Sequence, residues 1–426
     1  MSRRIIRVEE RLSLLQTIPL SLQHIFAMFG ATVLVPFLFK VNPATSLFMN
    51  GVGTLIYLLV CRGRIPAYLG SSFAFIAPVL AVLATPGLGG YRAAQGGFIA
   101  FGLFFILVSL IVRVAGMSWL DTIFPPADMG AIVAVIGLEL APVATDMAGL
   151  TGRTVQDLHI SQSSAIAVSV LTLGVTILAS VLFRGFLAVI PVLAGVIAGY
   201  AFAAALGIVN FQPILAAPWC EVPSLSLPSF DVSAVLMIMP AAFVVLAEHI
   251  GHLVVTGNIV EKDLLRDPGL HRSLLGDGIS NLLSGLVGAT PNTTYGENIG
   301  VMAITRVFSV WVIGGAAIIA ILVSFTGKLT ALIQSIPVPV MGGVSMLLFG
   351  VIAATGIRML IERRVDYTKA KNLILTSLVL VMGVSGTRIK LGAVELKGMA
   401  LGTVLAIGIS LLFELFARAR LTLETD

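Results

Sequence analysis

Three ionisable side chains interrupt apolar stretches of the sequence, and their spacing could support proton chemistry. Glu248 and His252 are four residues apart in the run that begins at Pro240, which places them on one helical face. Glu297 is a second acid beside another apolar run. A carboxylate at the centre of a bilayer costs at least about 2.5–3.5 kcal/mol, so each acid should face a polar cavity. Buried acids that exchange a proton, with an imidazole to relay it, are typical of proton-coupled sites.

Other polar residues in apolar stretches have simpler explanations. His249 points about 100° away from Glu248 around a helix, so we do not place it in the same site. Polar residues such as Gln23 and His24 in an apolar helix more often form hydrogen bonds to neighbouring helices than contact a ligand, so we expect them to support the structure. The alternative for the two acids, Glu248 and Glu297, is a structural ion pair or a position near the membrane interface.

Two polar segments, 70–75 and 290–296, lie in or next to apolar runs although their composition disfavours helix. Pro291 lacks a backbone donor, and serine, threonine and asparagine compete for backbone hydrogen bonds. We therefore predict short extended strands leading into half-helices that begin near Ile76 and Glu297. The free N–H groups and positive dipole end of each half-helix would face a ligand carbonyl. The alternative is a pair of polar loops at the membrane edge.

Two further acids are not predicted to belong to the site. Asp128 follows two prolines at a predicted helix start, where an acid complements the helix dipole. Glu139 lies near a predicted helix end and should reach water.

The composition of the whole chain places these segments in a membrane. Of the 426 residues, 58% are hydrophobic and 11% are charged, whereas soluble domains carry about 25% charged residues. We predict an all-α polytopic membrane protein with fourteen transmembrane segments, the short strands lying in segments 3 and 10. The segments are 17–39, 43–61, 66–84, 93–115, 125–141, 162–182, 185–207, 232–258, 273–288, 290–305, 307–326, 336–356, 372–386 and 396–417.

The distribution of basic residues predicts the orientation. With the N-terminus in the cytoplasm, nineteen of the 26 lysine and arginine residues fall on the cytoplasmic side, as the positive-inside rule requires. An even number of segments places the C-terminus there as well. The basic residues form scattered loop clusters without a continuous stripe, which argues against nucleic-acid binding.

The motifs of soluble enzymes are missing from the sequence. It contains no P-loop, no G-x-S-x-G and no H-E-x-x-H motif, so we predict a secondary active transporter and no enzyme. Uphill transport would then use a gradient of protons or, alternatively, of sodium. We predict no cofactor and no metal site, because neither Cys61 nor Cys220 has a metal-ligand partner at useful spacing.

Three short motifs recur in the same order in the two halves of the chain. The pairs are 22–24 with 247–249, 71–74 with 293–296, and 126–130 with 339–342. Because each half has an odd number of segments, seven, the second half begins on the side of the membrane opposite to that where the first half begins. The sequence therefore predicts two inverted seven-helix repeats, with a site near the midplane between them.

Together these motifs resemble the signature of the nucleobase–ascorbate transporter family. The matching segments are 297–306 (ENIGVMAITR), the pair Gln23-His24, the triplet Ala247-Glu248-His249, and the stretches 18–24, 66–75 and 290–298. The resemblance covers essentially the whole chain and is closest to bacterial members that transport uracil with protons. It implies proton-coupled uracil import by alternating access across a bacterial cytoplasmic (inner) membrane, with a homodimer as the assembled form.

The resemblance also implies a division into domains and a set of site residues. A core domain would comprise 14–115 and 232–326, and a gate domain 125–207 and 336–417 would carry the homodimer contact. The substrate would be bound by Glu248, Glu297, Phe73, Gly296, Tyr295 and Ala31. The proton would be coupled by His252 with the two acids, and Gln23, His24, Asn298 and Phe349 would support the site.

Two alternatives for the substrate stay open. Phe349 stands where uracil-transporting members can have tyrosine, so a purine or xanthine could be the substrate instead. An anion exchanger of related fold would require a cationic residue at the half-helix, where this sequence has Glu297.

Overall fold

A computed structural model describes residues 5–419 except 124, 152–159, 186 and 392–393, and this part of the chain is predominantly helical. A helix lies in each of the fourteen predicted segments. Four of the basic residues in the orientation argument, Arg3, Arg4, Arg153 and Arg420, lie outside the described residues.

The helices of the first half follow the predicted segments except at two places: the first segment is broken, and the short α6 lies between two predicted segments. They are α1 (Leu14–Ala27), α2 (Phe29–Phe39), α3 (Pro43–Val60), α4 (Ile76–Ala84), α5 (Tyr91–Ala115), α6 (Ser118–Ile123), α7 (Pro126–Met147), α8 (Gln162–Leu182) and α9 (Pro191–Ala205). The single helix predicted for 17–39 is wrong, because the chain bends by 42° between α1 and α2. The residues around Met28 continue the apolar run, so hydropathy does not mark the break.

The second half of the chain contains the longest helix. Its helices are α10 (Gln212–Ala216), α11 (Val232–Val260), α12 (Leu270–Val287), α13 (Gly296–Thr305), α14 (Val310–Ser324), α15 (Gly327–Gln334), α16 (Val338–Glu362), α17 (Ala370–Val384) and α18 (Gly398–Arg418). Within the described ranges, seven helices are long and apolar enough to cross a membrane, or nine if each of two bent pairs is one span. The chain is a multi-pass membrane protein.

Short strands form two antiparallel pairs. The strands are β1 (Leu69–Ser71), β2 (Asn292–Thr294), β3 (Arg388–Leu391) and β4 (Val394–Lys397). β1 pairs with β2 across the two halves of the chain, whereas β3 and β4 form a local hairpin between α17 and α18.

The most extensive helix contacts fall into two groups. In one group, α12 packs on α3 and α5, and α14 packs on α1 and α3. In the other, α7 packs on α16 and α17, and α8 packs on α9 and α16. Helix α11 contacts α5 and α13 on one side and α7 and α18 on the other. It therefore lies where the two groups meet.

Small residues allow these helices to approach closely. An added Cβ at Gly278 would lie 2.9 Å from the Gly102 carbonyl oxygen, and one at Gly356 would lie 2.3 Å from the Ala134 nitrogen. Such contacts are typical of helix pairs in membranes, where close van der Waals packing drives association.

Candidate functional site

The antiparallel pair of β1 and β2 forms the frame of the candidate site. Gly70 lies opposite Thr293, and all six strand residues are buried. The Ser72 N–H donates to the Pro291 carbonyl at 2.9 Å, which extends the ladder beyond the strands. The two predicted extended segments are confirmed.

Each strand leads directly into a short helix. After β1, a 3₁₀ turn at Phe73–Phe75 continues into α4, and after β2, α13 begins at Gly296, one residue before the predicted start. Within the described part of the chain, no side chain caps either helix N-terminus. The Ile76 N–H already donates to the Phe73 carbonyl, so the N–H groups that can face a ligand are those at the start of the 3₁₀ turn, from Phe73, and at the start of α13, from Gly296. Both places carry the positive end of a helix dipole.

Two carboxylates lie beside these helix starts. Glu297 is half-buried in the first turn of α13. Glu248 is half-buried in α11, which packs on α13, and lies within electrostatic range of Glu297 and Asp277. The structure thus brings together the two acids that the sequence singled out.

His252 lies one turn after Glu248 and contacts β2 and the start of α13. Its Nδ1 is 3.1 Å from the Thr294 hydroxyl. A methyl group on Gly296 would come within 3.2 Å of its Nε2. The imidazole therefore touches the turn that carries Glu297.

Tyr295 fixes the entry into α13. Its ring covers Gly70 so closely that an added Cβ there would lie 2.4 Å from the ring. Its hydroxyl donates to the Ser71 carbonyl at 2.9 Å, and its N–H donates to the Tyr68 carbonyl at 3.0 Å. Both contacts tie the start of α13 to β1.

The remaining predicted contact residues form an apolar wall. Ala31 and Tyr295 belong to one buried cluster, against which Phe73 packs. The buried Phe349 ring meets Phe73 edge-on, with 6.1 Å between the ring centroids. Phe349 lies on α16, so this contact joins the two helix groups.

The supporting residues differ in their surroundings. His24 Nδ1 lies 2.9 Å from Asn298 Nδ2, and this buried contact connects α1 to α13. Gln23 Oε1 is buried without a hydrogen-bond partner among the residues that the structure describes. His24 therefore bonds a neighbouring helix, as predicted.

The structure places the two acids outside the predicted site, Asp128 and Glu139, in α7. Glu139 does not lie near a helix end, because α7 continues to Met147; its side chain is half-buried and accepts a hydrogen bond from the Met399 N–H at 2.8 Å. Asp128 is in the first turn of α7 as predicted, yet it is fully buried and neither carboxylate oxygen has a hydrogen-bond partner within the described ranges.

Sequence reasoning missed a buried polar chain behind β2. It consists of Tyr57, Ser273, His249, Asp277 and Asn281, none of which is exposed. One signal was available, because Asp277 is an acid inside the predicted segment 273–288.

Comparisons with known proteins agree with the motifs. A model of a permease family matches residues 15–392. The uracil permease of Escherichia coli (strain K12) is 64% identical over 420 residues, covering 99% of this chain and 96% of that protein. The uracil permease of Paenibacillus larvae is 58% identical, covering 99% of both chains, and that of Bacillus subtilis (strain 168) is 49% identical, covering 92% and 91%.

Solved structures of transporters share the fold. The transmembrane domain of the cyanobacterial bicarbonate transporter BicA superposes with a TM-score of 0.60 at 14% identity, covering 96% of this chain and 99% of that one. The murine Slc26a9 anion transporter in its inward-facing state gives a TM-score of 0.70 at 10% identity, covering 96% and 69%. At these identities the likeness concerns the fold alone. The family match and the full-length relatives show that this transporter belongs to the permease family, which is the nucleobase–ascorbate transporter family that its motifs resemble.

Proposed function

We propose that this protein imports uracil together with protons by alternating access. One observation carries the proposal: two uncapped half-helix N-termini meet the carboxylates Glu248 and Glu297 beside the paired strands. Full-length relatives named uracil permeases give independent support for the substrate.

The donors and acceptors at this place complement a pyrimidine edge. Uracil offers two N–H donors and two carbonyl acceptors, so it needs both acceptors and donors from the protein. In the proposal, Glu248 and Glu297 accept from the ring N–H groups, and the backbone N–H groups of Phe73 and Gly296 donate to the carbonyls. Tyr295 and Ala31 line the pocket.

The proton shares the same residues. In the proposal, Glu248 and Glu297 share one proton, which removes the repulsion between two neighbouring negative charges. His252 lies one helical turn from Glu248 and against the start of α13, where it can relay the proton between the site and its surroundings.

The proposal includes the predicted architecture. Fourteen segments form two inverted seven-helix repeats, with a core domain (14–115 and 232–326) that rocks against a gate domain (125–207 and 336–417). Both termini face the cytoplasm of a bacterial cell, and the gate domain forms the homodimer contact. The two helix groups, with α11 where they meet, support this division.

Uptake of labelled uracil into proteoliposomes, with and without an imposed proton gradient, tests the mechanism. The wild type should accumulate uracil when the gradient is present. Glu248→Gln and Glu297→Gln should abolish accumulation and leave folded protein in the membrane. An amide has the size of the carboxyl group but cannot take up and release a proton near neutral pH.

Glu414→Gln is the matched control. Glu414 pairs with Arg418 at 2.9 Å near the end of α18. Loss of the Glu414 charge should leave uptake unchanged. Gradient-driven accumulation at wild-type level in both the Glu248 and the Glu297 variant would overturn the coupling scheme.

The alternative substrates are separated by competition. An excess of unlabelled uracil should suppress uptake, whereas a stronger effect of xanthine or another purine would assign the transporter to that class. The structural relatives named as bicarbonate and anion transporters raise the anion alternative, but Glu297 in the first turn of α13 would repel an anion at this helix start.

A further inference from the structure

The outer edge of β2 is completed by a side chain. Asn281 Nδ2 donates to the Asn292 carbonyl at 3.0 Å, and Asn281 Oδ1 accepts from the Asn292 N–H at 2.6 Å. Both residues are fully buried. The Asn281 amide thus takes the place of a third strand and satisfies the backbone groups of Asn292 that face away from β1.

The orientation of this amide is set by Asp277. Asn281 Nδ2 lies 3.2 Å from Asp277 Oδ1 and also donates to the Asp277 carbonyl at 2.9 Å. A carboxylate accepts hydrogen bonds and has no proton to donate, so the NH₂ side of the amide must face it. The amide oxygen is then directed at the Asn292 N–H, as observed.

Asp277 needs a partner of its own, because it is fully buried. His249 supplies it: His249 Nδ1 lies 3.3 Å from Asp277 Oδ2, and both side chains have no exposed surface. The other ring nitrogen of His249 lies 2.7 Å from Ser273 Oγ, which is 2.6 Å from the Tyr57 hydroxyl. The imidazole is therefore hydrogen-bonded at Nε2, and at Nδ1 it makes a close contact with the Asp277 carboxylate whose geometry falls short of a hydrogen bond.

We propose that Asp277, His249 and Asn281 form a positioning device for the uracil site. They hold β2 in register, and β2 in turn places Gly296 and Glu297 at the start of α13. None of the three touches the substrate. The inference rests on the proposed function and adds residues that act through β2 on substrate affinity.

The test is equilibrium binding of labelled uracil to the purified full-length protein, together with thermal unfolding. Asp277→Asn should raise the Kd for uracil roughly 10- to 100-fold, because it removes the charged acceptor that binds Asn281 Nδ2 and faces His249, and so weakens the support of the amide that holds Asn292. The double variant Asp277→Asn with His249→Gln should bind about as weakly as Asp277→Asn alone, since His249 acts through Asp277.

Asp128→Asn is the matched control. Asp128 is also a fully buried acid in a spanning helix, but it lies on α7, away from both strands. Its substitution should leave the Kd for uracil unchanged. A role in general stability alone would lower the unfolding temperature of the Asp277 variant without changing the Kd of the folded protein.

A milder variant covers the case in which Asp277→Asn does not fold. Ser273→Ala removes only the group that holds His249 Nε2 and should raise the Kd roughly two- to tenfold. A folded Asp277→Asn protein that binds uracil like the wild type overturns the inference, and so does an unchanged Kd in Ser273→Ala if the first variant fails to fold. Absence of uracil binding by the wild type would instead overturn the proposed function.

Discussion

At the scale of single residues, the start of α13 has almost no spare room. A methyl group on Gly296 would lie 3.2 Å from His252 Nε2, whereas one on Gly300, a turn later, would meet no atom of the described residues within 4 Å. Gly296→Ala should therefore displace the imidazole or the helix start and raise the KM for uracil uptake by about tenfold, as small misplacements of a site do.

Gly300→Ala is the control for this experiment, because it adds the same methyl group to the same helix. It should leave uptake unchanged or slightly stabilise the protein, since alanine favours helix over glycine. Transport kinetics in proteoliposomes would decide the matter. Equal KM values for the two variants would contradict the close approach of His252 to this turn.

The residues that sequence analysis could find are those whose chemistry conflicts with their local surroundings. Glu248, Glu297 and His252 interrupt apolar runs, and the cost of burying them is visible without a structure. The role of Asn281 could not be found in this way. It depends on contacts with Asn292, which is eleven positions away, and on the orientation of an amide, neither of which has a sequence pattern.

At the scale of elements, the N-terminal segment (5–13) acts as a tether. The Ile6 N–H donates to the Arg306 carbonyl at 3.0 Å, and the Phe308 N–H donates to the Ile6 carbonyl at 2.9 Å. Glu9 binds Lys262 at 2.5 Å, just beyond the end of α11. The segment therefore links the end of α13 to the end of α11.

The Glu9–Lys262 pair predicts a small dependence of stability on pH. The hydrogen bond from Lys262 holds the pKa of Glu9 below its usual value. Since this folded-state pKa is depressed, the stabilisation is present above the unfolded pKa and is lost as the pH falls through the folded pKa. Both side chains are about half exposed, so we expect at most about 1 kcal/mol.

Thermal unfolding of Lys262→Ala and the wild type measures this contribution. The difference between them should be present near neutral pH and disappear as the pH falls through the lowered folded-state pKa of Glu9. Arg266→Ala is the control. It removes a basic residue whose ion pair is with the neighbouring Asp263 instead of with Glu9 in the N-terminal segment. If the stability difference between Lys262→Ala and the wild type grew as the pH was lowered, the ion pair with Glu9 could not be its cause.

Elements were predictable where local composition decides them. The extended segments follow from Pro291 and its polar neighbours, and the spanning helices follow from hydropathy. The break between α1 and α2 was missed because the residues on either side of Met28 are apolar and no proline or charged residue marks the position. The length of α16, which continues to Glu362, was underestimated because Gly356 and Arg358 interrupt the apolar stretch before the helix ends.

At the scale of the whole molecule, the two cysteines report the orientation. Cys220 is exposed in the connection between α10 and α11, whereas Cys61 is buried. With both termini in the cytoplasm, this connection faces outward. A membrane-impermeant maleimide should therefore label the wild type in right-side-out vesicles and leave Cys220→Ser unlabelled. Labelling confined to inside-out vesicles would reverse the proposed orientation.

The assembly of the helices into two groups was beyond local sequence patterns. It depends on contacts such as that between His24 and Asn298, which are 274 positions apart. The weak internal repeat suggested such a correspondence between the halves, but hydropathy contains no information on which helices touch. The glycines at the closest helix contacts can be interpreted as packing residues only when the partner helix is known.

The pairing of β1 with β2 has a consequence for biosynthesis. Ser71 and Thr290, whose hydroxyl groups bond beside the two strands at 2.7 Å, are 219 positions apart. A ribosome completes β1 long before β2 exists, and unpaired backbone groups are costly in hydrocarbon. Until β2 is made, the unpaired backbone groups of β1 must therefore be hydrogen-bonded by water or kept out of the lipid by the insertion machinery. The strand pair at the proposed uracil site can therefore form only after more than half of the polypeptide has been translated.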